Sequence, residues 1–408
     1  MDIKITPNRL SGKVTVPPSK SVAHRLIICA AFADGRSVIE NIAPSKDIIA
    51  TASAMKAFGA DITLKDGKAY VDGTGEIPKK AVVDCCESGS TLRFLIPVAT
   101  ALGIETEFHG EGKLPERPIT PYLEALPCHN VSFDYNNTMP FSVSGKMTAG
   151  LYKIGGDISS QFITGLMLGL SLLDEDSEIE LTSHLESKPY VDITIDAMNK
   201  FGVVISETKN GYYIKGGQKY KLCSMVCEGD YSQSAFFYVA NSLGGNVSIS
   251  GLSEESAQGD KKIVEICKEI VYNKKGSLKP FKLDCSDIPD LVPILTVLGC
   301  FCDGVSEIYN VSRLRIKECD RLEAISECLN KLGGKVEAFT DKLVITGVEK
   351  LSGGEVSSYN DHRIAMSMAI ASQKCTESLI IRDAQCVSKS YPDFWQVFKS
   401  LGGVFIEI

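Results

Sequence analysis

Acids, cations and hydroxyls recur in this sequence where apolar helices are about to begin. In "PPSKSVAHR", Ser19, Lys20, Ser21 and Arg25 stand ahead of an apolar run. The first turn of a helix offers unbonded N–H groups and a partial positive charge, so this pattern suits an anion. It also suits a plain capped helix, with Ser19 or Ser21 as N-cap and the prolines blocking backward extension. The company it keeps favours the first reading. "ESGSTLRF" supplies Ser88, Gly89, Ser90, Thr91 and Arg93, and a glycine there lets the backbone approach a ligand closely. "GKLPERPITPYLEAL" holds Arg117 on a proline-stiffened loop, and "GGDISSQF" lines up Ser159, Ser160 and Gln161 as neutral donors. "ESKPYVDIT" adds Ser187, Lys188 and Tyr190.

Proton chemistry needs acids whose surroundings shift their pKa values. Asp290 in "SDIPDLVP" precedes an apolar helix, and Glu318 in "RLRIKECDRL" is flanked by Lys317, Asp320 and Arg321. The bland reading of the second stretch is a solvated helical face with ion pairs, because Lys317 and Arg321 are four apart. "NDHRIAM" contributes Asp361, His362 and Arg363, and "SKSYPDFW" contributes Lys389. Only ten of the 43 cations are arginine, yet arginine stands at 25, 93, 117, 313, 315, 321 and 363, mostly beside Ser, Gly, Asp or Pro. Its planar fork grips phosphate or carboxylate bidentately, which lysine cannot copy. Together these residues describe a site for two anionic substrates with proton transfer between them.

The elements that position them repeat. A polar turn followed by a helix of small and apolar residues occurs six times, anchored at Lys20, Ser88, Ser159, Ser232, Asp290 and Asp361, at intervals of 68, 71, 73, 58 and 71 residues. Between these turns lies a second unit, a helix ending near glycine and leading into a strand, as in "ASAMKAFGADITL" and "ISECLNKLGGKVEAF". Six such units predict an α/β chain of βαβ-type modules, and domain size favours two domains of three modules each. Helices as apolar as "SSQFITGLMLGLSLL" are expected to be buried on all sides. For "GDYSQSAFF" the N-cap reading is as good as a binding one.

Bulk properties exclude other classes. Net charge is −8 with no basic block, which argues against nucleic-acid binding. No apolar run reaches the roughly 18 residues of a membrane span. "MDIKITPNRL" lacks the apolar core of a signal peptide, so a cytoplasmic location is expected. The fourteen cysteines and five histidines show no CxxC…CxxC, HxH or HExxH spacing, so reduced thiols and no metal are expected.

In this order and along the whole chain, the motifs closely resemble those of the 5-enolpyruvylshikimate-3-phosphate (EPSP) synthase family, the 3-phosphoshikimate 1-carboxyvinyltransferases. The resemblance implies an inside-out α/β barrel of two domains, six βαβαββ-type units in all. It places residues 1–17 and 228–408 in one domain, 18–227 in the other, and the active site in the cleft between them. It implies that Lys20, Ser21, Arg25, Ser159, Ser160, Gln161, Ser187, Asp290, Arg313 and Lys317 hold shikimate 3-phosphate, with Tyr190 nearby. Lys20, Gly89, Arg117, Gln161, Arg321, Arg363 and Lys389 would hold phosphoenolpyruvate, with Arg93 in support. Asp290 would take the 5-hydroxyl proton, Glu318 would protonate the methylene carbon, and Lys20 would assist both transfers. No redox cofactor or metal is implied, and a monomer acting on two small molecules is expected. Glu87 departs from a frequent Asn and Arg313 from a frequent neutral residue. Retention of Gly89 predicts inhibition by glyphosate. A sister transferase acting on UDP-N-acetylglucosamine shares the fold but carries a reactive cysteine in the loop that here reads "GEGKLPERP". A non-catalytic metabolite sensor would lack Lys20 or one of the acids; this chain has all three.

Overall fold

The structure, a computed structural model, describes residues 1–270 and 277–408. It forms two compact units, one of Pro18–Glu228 and one of Met1–Pro17 with Gly229–Ile408, so the chain passes from unit to unit twice.

The unit Pro18–Glu228 contains helices α1 (Lys20–Ala31), α2 (Lys46–Ala57), α3 (Gly89–Leu102), α4 (Thr120–Ala125), α5 (Ser160–Leu170) and α6 (Lys188–Lys200). Each of its three sheets has four strands in one repeated pattern. In the sheet around α3, Lys80–Asp84 runs parallel to Glu105–His109, which pairs antiparallel with Phe141–Ser144 and that with Ser132–Asp134. Parallel neighbours need a crossover, and α3 supplies it.

Three helices of this unit form its core. α1 is buried from Val22 to Ala31, and α3 and α5 are buried along nearly their whole length. As expected from its composition, α5 keeps no solvent-facing stripe. Its glycines explain how close it lies to α3: a Cβ on Gly165 would stand 2.2 Å from the Arg93 carbonyl oxygen, and one on Gly169 would stand 2.8 Å from that of Pro97. Buried Tyr122 sits over this seam, its hydroxyl 2.7 Å from the Arg93 carbonyl and 2.9 Å from that of Phe162.

The other unit repeats the scheme with α7 (Tyr231–Ser242), α8 (Ile263–Glu269), α9 (Val292–Gly299), α10 (Arg321–Lys331), α11 (His362–Ala371) and α12 (Phe394–Ser400). Two sheets are four-stranded, and the third has two strands among the described residues, Asn246–Ser250 parallel to Ser11–Thr15. The small sheet belongs to the module whose spacing in the sequence is shortest. α9 and α11 are buried throughout.

Strand pairing accounts for the double crossing. Ser11–Thr15 leads into α1 yet pairs with Asn246–Ser250, which follows α7. Met225–Val226 leads into α7 yet pairs with Arg36–Glu40, which follows α1. Each unit therefore closes with a strand from the other half of the chain.

Candidate active site

In the first unit the helix starts gather the polar residues. Ser19 caps α1 by accepting from the Val22 N–H, Ser88 caps α3 and Ser159 caps α5. Lys20 opens α1 and pairs with Asp47 of α2 at 2.7 Å. Arg25, one turn further in, is almost fully buried. It donates from Nε to Thr194 at 2.7 Å, from Nη1 to the Ser21 carbonyl at 2.7 Å, and from Nη2 to Thr164 at 3.2 Å and the Tyr190 carbonyl at 2.9 Å. Four of its five N–H groups are thus committed within the unit. Burial lowers its pKa to about 10.

Gly89 begins α3 where three side chains converge. A Cβ there would stand 3.0 Å from Arg117 Nη1, 3.4 Å from Arg93 Nη1 and 3.6 Å from Gln161 Oε1. Arg93 donates to Gln161 Oε1 at 2.7 Å, and Gln161 Nε2 donates to Ser90 at 2.9 Å. The result is a cationic corner beside bare backbone at a helix N-terminus, an arrangement that receives phosphate. Ser187 stands before α6 with a φ of 58°, a left-handed conformation that costs energy for a residue with a side chain. Lys188 pairs with Asp192 at 2.7 Å.

The second unit gathers the acids. Asp290 lies in the turn Pro289–Leu291 that leads into α9. Its carboxylate bridges Arg321 at 3.0 Å and Arg363 at 2.8 Å. Arg321 also pairs with Glu318 at 2.8 Å and Asp361 at 2.7 Å, so one buried guanidinium holds three carboxylates. Asp361 caps α11 by accepting from the Arg363 N–H at 2.8 Å. Arg363 further donates to Ser232 at 3.0 Å, and Ser232 donates to Asp230, the cap of α7, at 2.6 Å. Lys389 donates to the Asn360 carbonyl at 2.9 Å, and Arg313 donates to that of Ser286.

This cluster sets aside the bland reading of one stretch. "RLRIKECDRL" is not a solvated helical face: Ser312–Ile316 is a 3₁₀ turn, Lys317 is extended, and α10 starts only at Arg321 under an Asp320 cap. Lys317 and Arg321 therefore never stand one above the other on a helix. Arg315 takes the bland role instead, pairing with Asp320 at 2.6 Å.

Charge sets the protonation states. Burial would raise the Asp290 carboxyl, but Arg363, Arg321 and Lys317 outweigh it and hold the group far below the usual carboxylate range. Burial pushes the Lys317 ammonium down to about 8 against the opposing pull of Asp290.

Asp47, Thr164 and Thr194 were not marked by the sequence, and Ser232 only as the anchor of a polar turn open to a capping or a binding reading. Asp47 had one faint signal, an acid in the first turn of a helix after "APS". The threonines had none, being polar residues inside apolar helices that partner an arginine 139 and 169 positions away.

Cations held by hydroxyls, carbonyls and helix caps within each unit, on a repeated α/β frame, define a protein equipped to bind small anions. The chain matches the family described as EPSP synthase (3-phosphoshikimate 1-carboxyvinyltransferase) over residues 5–398 and belongs to it. Its sequence is 46% identical over 415 residues to the 3-phosphoshikimate 1-carboxyvinyltransferase of Clostridium perfringens strain ATCC 13124, covering 98% of each chain. It is 46% identical over 414 residues to that of Clostridium kluyveri, covering 98% of this chain and 97% of the other. The solved EPSP synthase of Acinetobacter baumannii shares the fold with a TM-score of 0.83 at 22% identity over the full length of both chains. Among the described residues no helix is long and apolar enough to cross a membrane.

Proposed function

We propose that this enzyme transfers the enolpyruvyl group of phosphoenolpyruvate to the 5-hydroxyl of shikimate 3-phosphate and releases phosphate. The observation that carries the residue assignment is the acid pair Asp290 and Glu318 fixed on one guanidinium, with the second cation of Asp290 on Arg363. Asp290 takes the 5-hydroxyl proton while the oxygen attacks C2 of phosphoenolpyruvate, and Glu318 gives a proton to C3. The tetrahedral adduct then returns a C3 proton to the Glu318 carboxylate as the C2–O bond to phosphate breaks and phosphate leaves with the electron pair. Every step is a proton transfer or an addition–elimination, so no electron acceptor enters. Cations beside the reacting atoms stabilise the charge that develops.

Lys20, Ser21, Arg25, Ser159, Ser160, Gln161, Ser187, Arg313 and Lys317 are the residues proposed to hold shikimate 3-phosphate. Lys20, Gly89, Arg117, Gln161, Arg321, Arg363 and Lys389 are those proposed for phosphoenolpyruvate. Asp290 accepts from both guanidinium groups, and the carboxylate of phosphoenolpyruvate is the natural competitor for them. Exchange would relieve the charge that makes Asp290 a weak base. A net charge of −8 with no basic block supports small-molecule substrates over nucleic acid, and the enzyme acts as a cytoplasmic monomer.

The direct test is phosphate release from phosphoenolpyruvate with purified enzyme, offered shikimate 3-phosphate or UDP-N-acetylglucosamine. Release with the first alone is expected; release with the sugar nucleotide would transfer the assignment to the sister reaction.

Three further results are expected. Gly89→Ala puts a methyl where Arg117 must yield a few tenths of an ångström, so the KM for phosphoenolpyruvate should rise about tenfold with that for shikimate 3-phosphate unchanged. Glyphosate should compete with phosphoenolpyruvate in the parent enzyme, and an inhibitor titration showing no competition contradicts this. For Lys317, charge is lost as pH rises through about 8, so kcat/KM for shikimate 3-phosphate should fall across that range. Lys317→Met should be weaker throughout and lose that inflection.

A further inference from the structure

Beneath the start of α3 a line of buried polar groups runs from helix to helix. His24 Nδ1 of α1 is 2.7 Å from Thr51 Oγ1 of α2, which is 2.7 Å from Thr91 Oγ1 of α3. Thr91 Oγ1 donates to Ser88 Oγ at 2.7 Å, and the same oxygen accepts the Thr91 backbone N–H as the cap of α3. All four residues are buried to within 1% exposure.

Each hydroxyl has one hydrogen, and this fixes the direction of the chain. The Thr91 hydrogen is spent on Ser88, so Thr91 must accept from Thr51. Thr51 must in turn accept from the imidazole, which therefore carries its hydrogen on Nδ1. Nε2 is a bare lone pair with no hydrogen-bond partner among the described residues. The charged groups that act on the ring are Asp47, Lys20 and Arg25, and burial keeps it neutral by pushing its pKa down to about 3.

A completed buried network rigidifies, and a broken one is costly. This one joins the helix that starts with Lys20, the helix carrying its partner Asp47, and the cap residue next to Gly89. We propose that His24 is a positioning residue for phosphoenolpyruvate: donating from Nδ1, it orders Thr51, Thr91 and Ser88 in one direction and so fixes the first turn of α3, with Gly89. The proposal rests on the reading that Gly89 lines the phosphoenolpyruvate site.

The test varies phosphoenolpyruvate and shikimate 3-phosphate separately in Gly89→Ala, His24→Leu, His24→Asn and Thr51→Val, with thermal melts to confirm folding. His24→Leu and Thr51→Val should each raise the KM for phosphoenolpyruvate about tenfold and leave that for shikimate 3-phosphate within about twofold. His24→Asn, whose amide N–H replaces Nδ1–H, should stay within about threefold of the parent. The proposal is overturned if both KM values move together, if Asn rescues no better than Leu, or if phosphoenolpyruvate binding is unmoved while Gly89→Ala weakens it. An unmoved Gly89→Ala would instead remove the underlying reading. Should His24→Leu fail to fold, Thr51→Val and His24→Asn carry the comparison. Nitrogen-15 spectra of the parent should show His24 as the neutral Nδ1–H tautomer at neutral pH; the Nε2–H tautomer would reverse the chain and overturn the proposal.

Discussion

Asp290→Asn is expected to lose about 10²–10⁴ of kcat, the usual contribution of a positioned general base. Phosphoenolpyruvate should bind at least as tightly as to the parent. The two effects have one cause. The Asp290 carboxylate sits on Arg363 at 2.8 Å and Arg321 at 3.0 Å, so it competes for the cations proposed to grip the substrate. Asparagine keeps the shape and surrenders the charge. Its amide cannot remove a proton from the 5-hydroxyl, and it no longer neutralises the two guanidinium groups. Single-turnover rates and equilibrium titration with phosphoenolpyruvate in the presence of shikimate 3-phosphate separate the two. A variant with the parent's rate would move the base elsewhere, and much weaker phosphoenolpyruvate binding would show that Asp290 organises the cations instead of competing for them.

Arg321→Met should be the most damaging single change in the unit of Met1–Pro17 and Gly229–Ile408. Arg321 is 2% exposed and answers Asp290, Glu318 and Asp361 at once. Removing it leaves three acids crowded together with their common counter-charge gone, and breaking even one buried pair from one side costs about 3–5 kcal/mol. The urea midpoint should fall accordingly, and activity should be lost. Arg321→Lys should recover only part of the stability, because an ammonium is a point charge and cannot serve three carboxylates through a planar fork. Unchanged stability with a raised KM for phosphoenolpyruvate would show that Arg321 serves the ligand first and the fold little.

Much of this was legible in the sequence because the signals are local. A helix cap is a bond between residues two or three apart, and five of the six polar turns supply one, from Ser19, Ser88, Ser159, Asp230 and Asp361; the turn at Asp290 has no side-chain cap. The glycine C-cap of α3, Gly103 at φ 73°, is local in the same way. The bland alternative around Lys317 fails for the same reason: an (i, i+4) pair predicts a shared face only if the segment is helical, and an Asp320 cap three residues on stops the helix from extending back to Lys317.

What the sequence determined by itself was the set of modules, the helix starts and the kinds of side chain they carry, since spacing, capping and composition act over a few residues. The tertiary structure alone decided the partners. It gave Lys20 to Asp47 across 27 positions, Arg25 to Thr194 across 169 and Arg363 to Ser232 across 131. It also turned Arg321 from one cation among several into the centre of three acids. A guanidinium or an ammonium will pair with any oxygen brought near it, so its type announces a contact without saying which. Only the packing of the buried helices, through close approaches such as Gly165 against α3, brings one set of oxygens within reach.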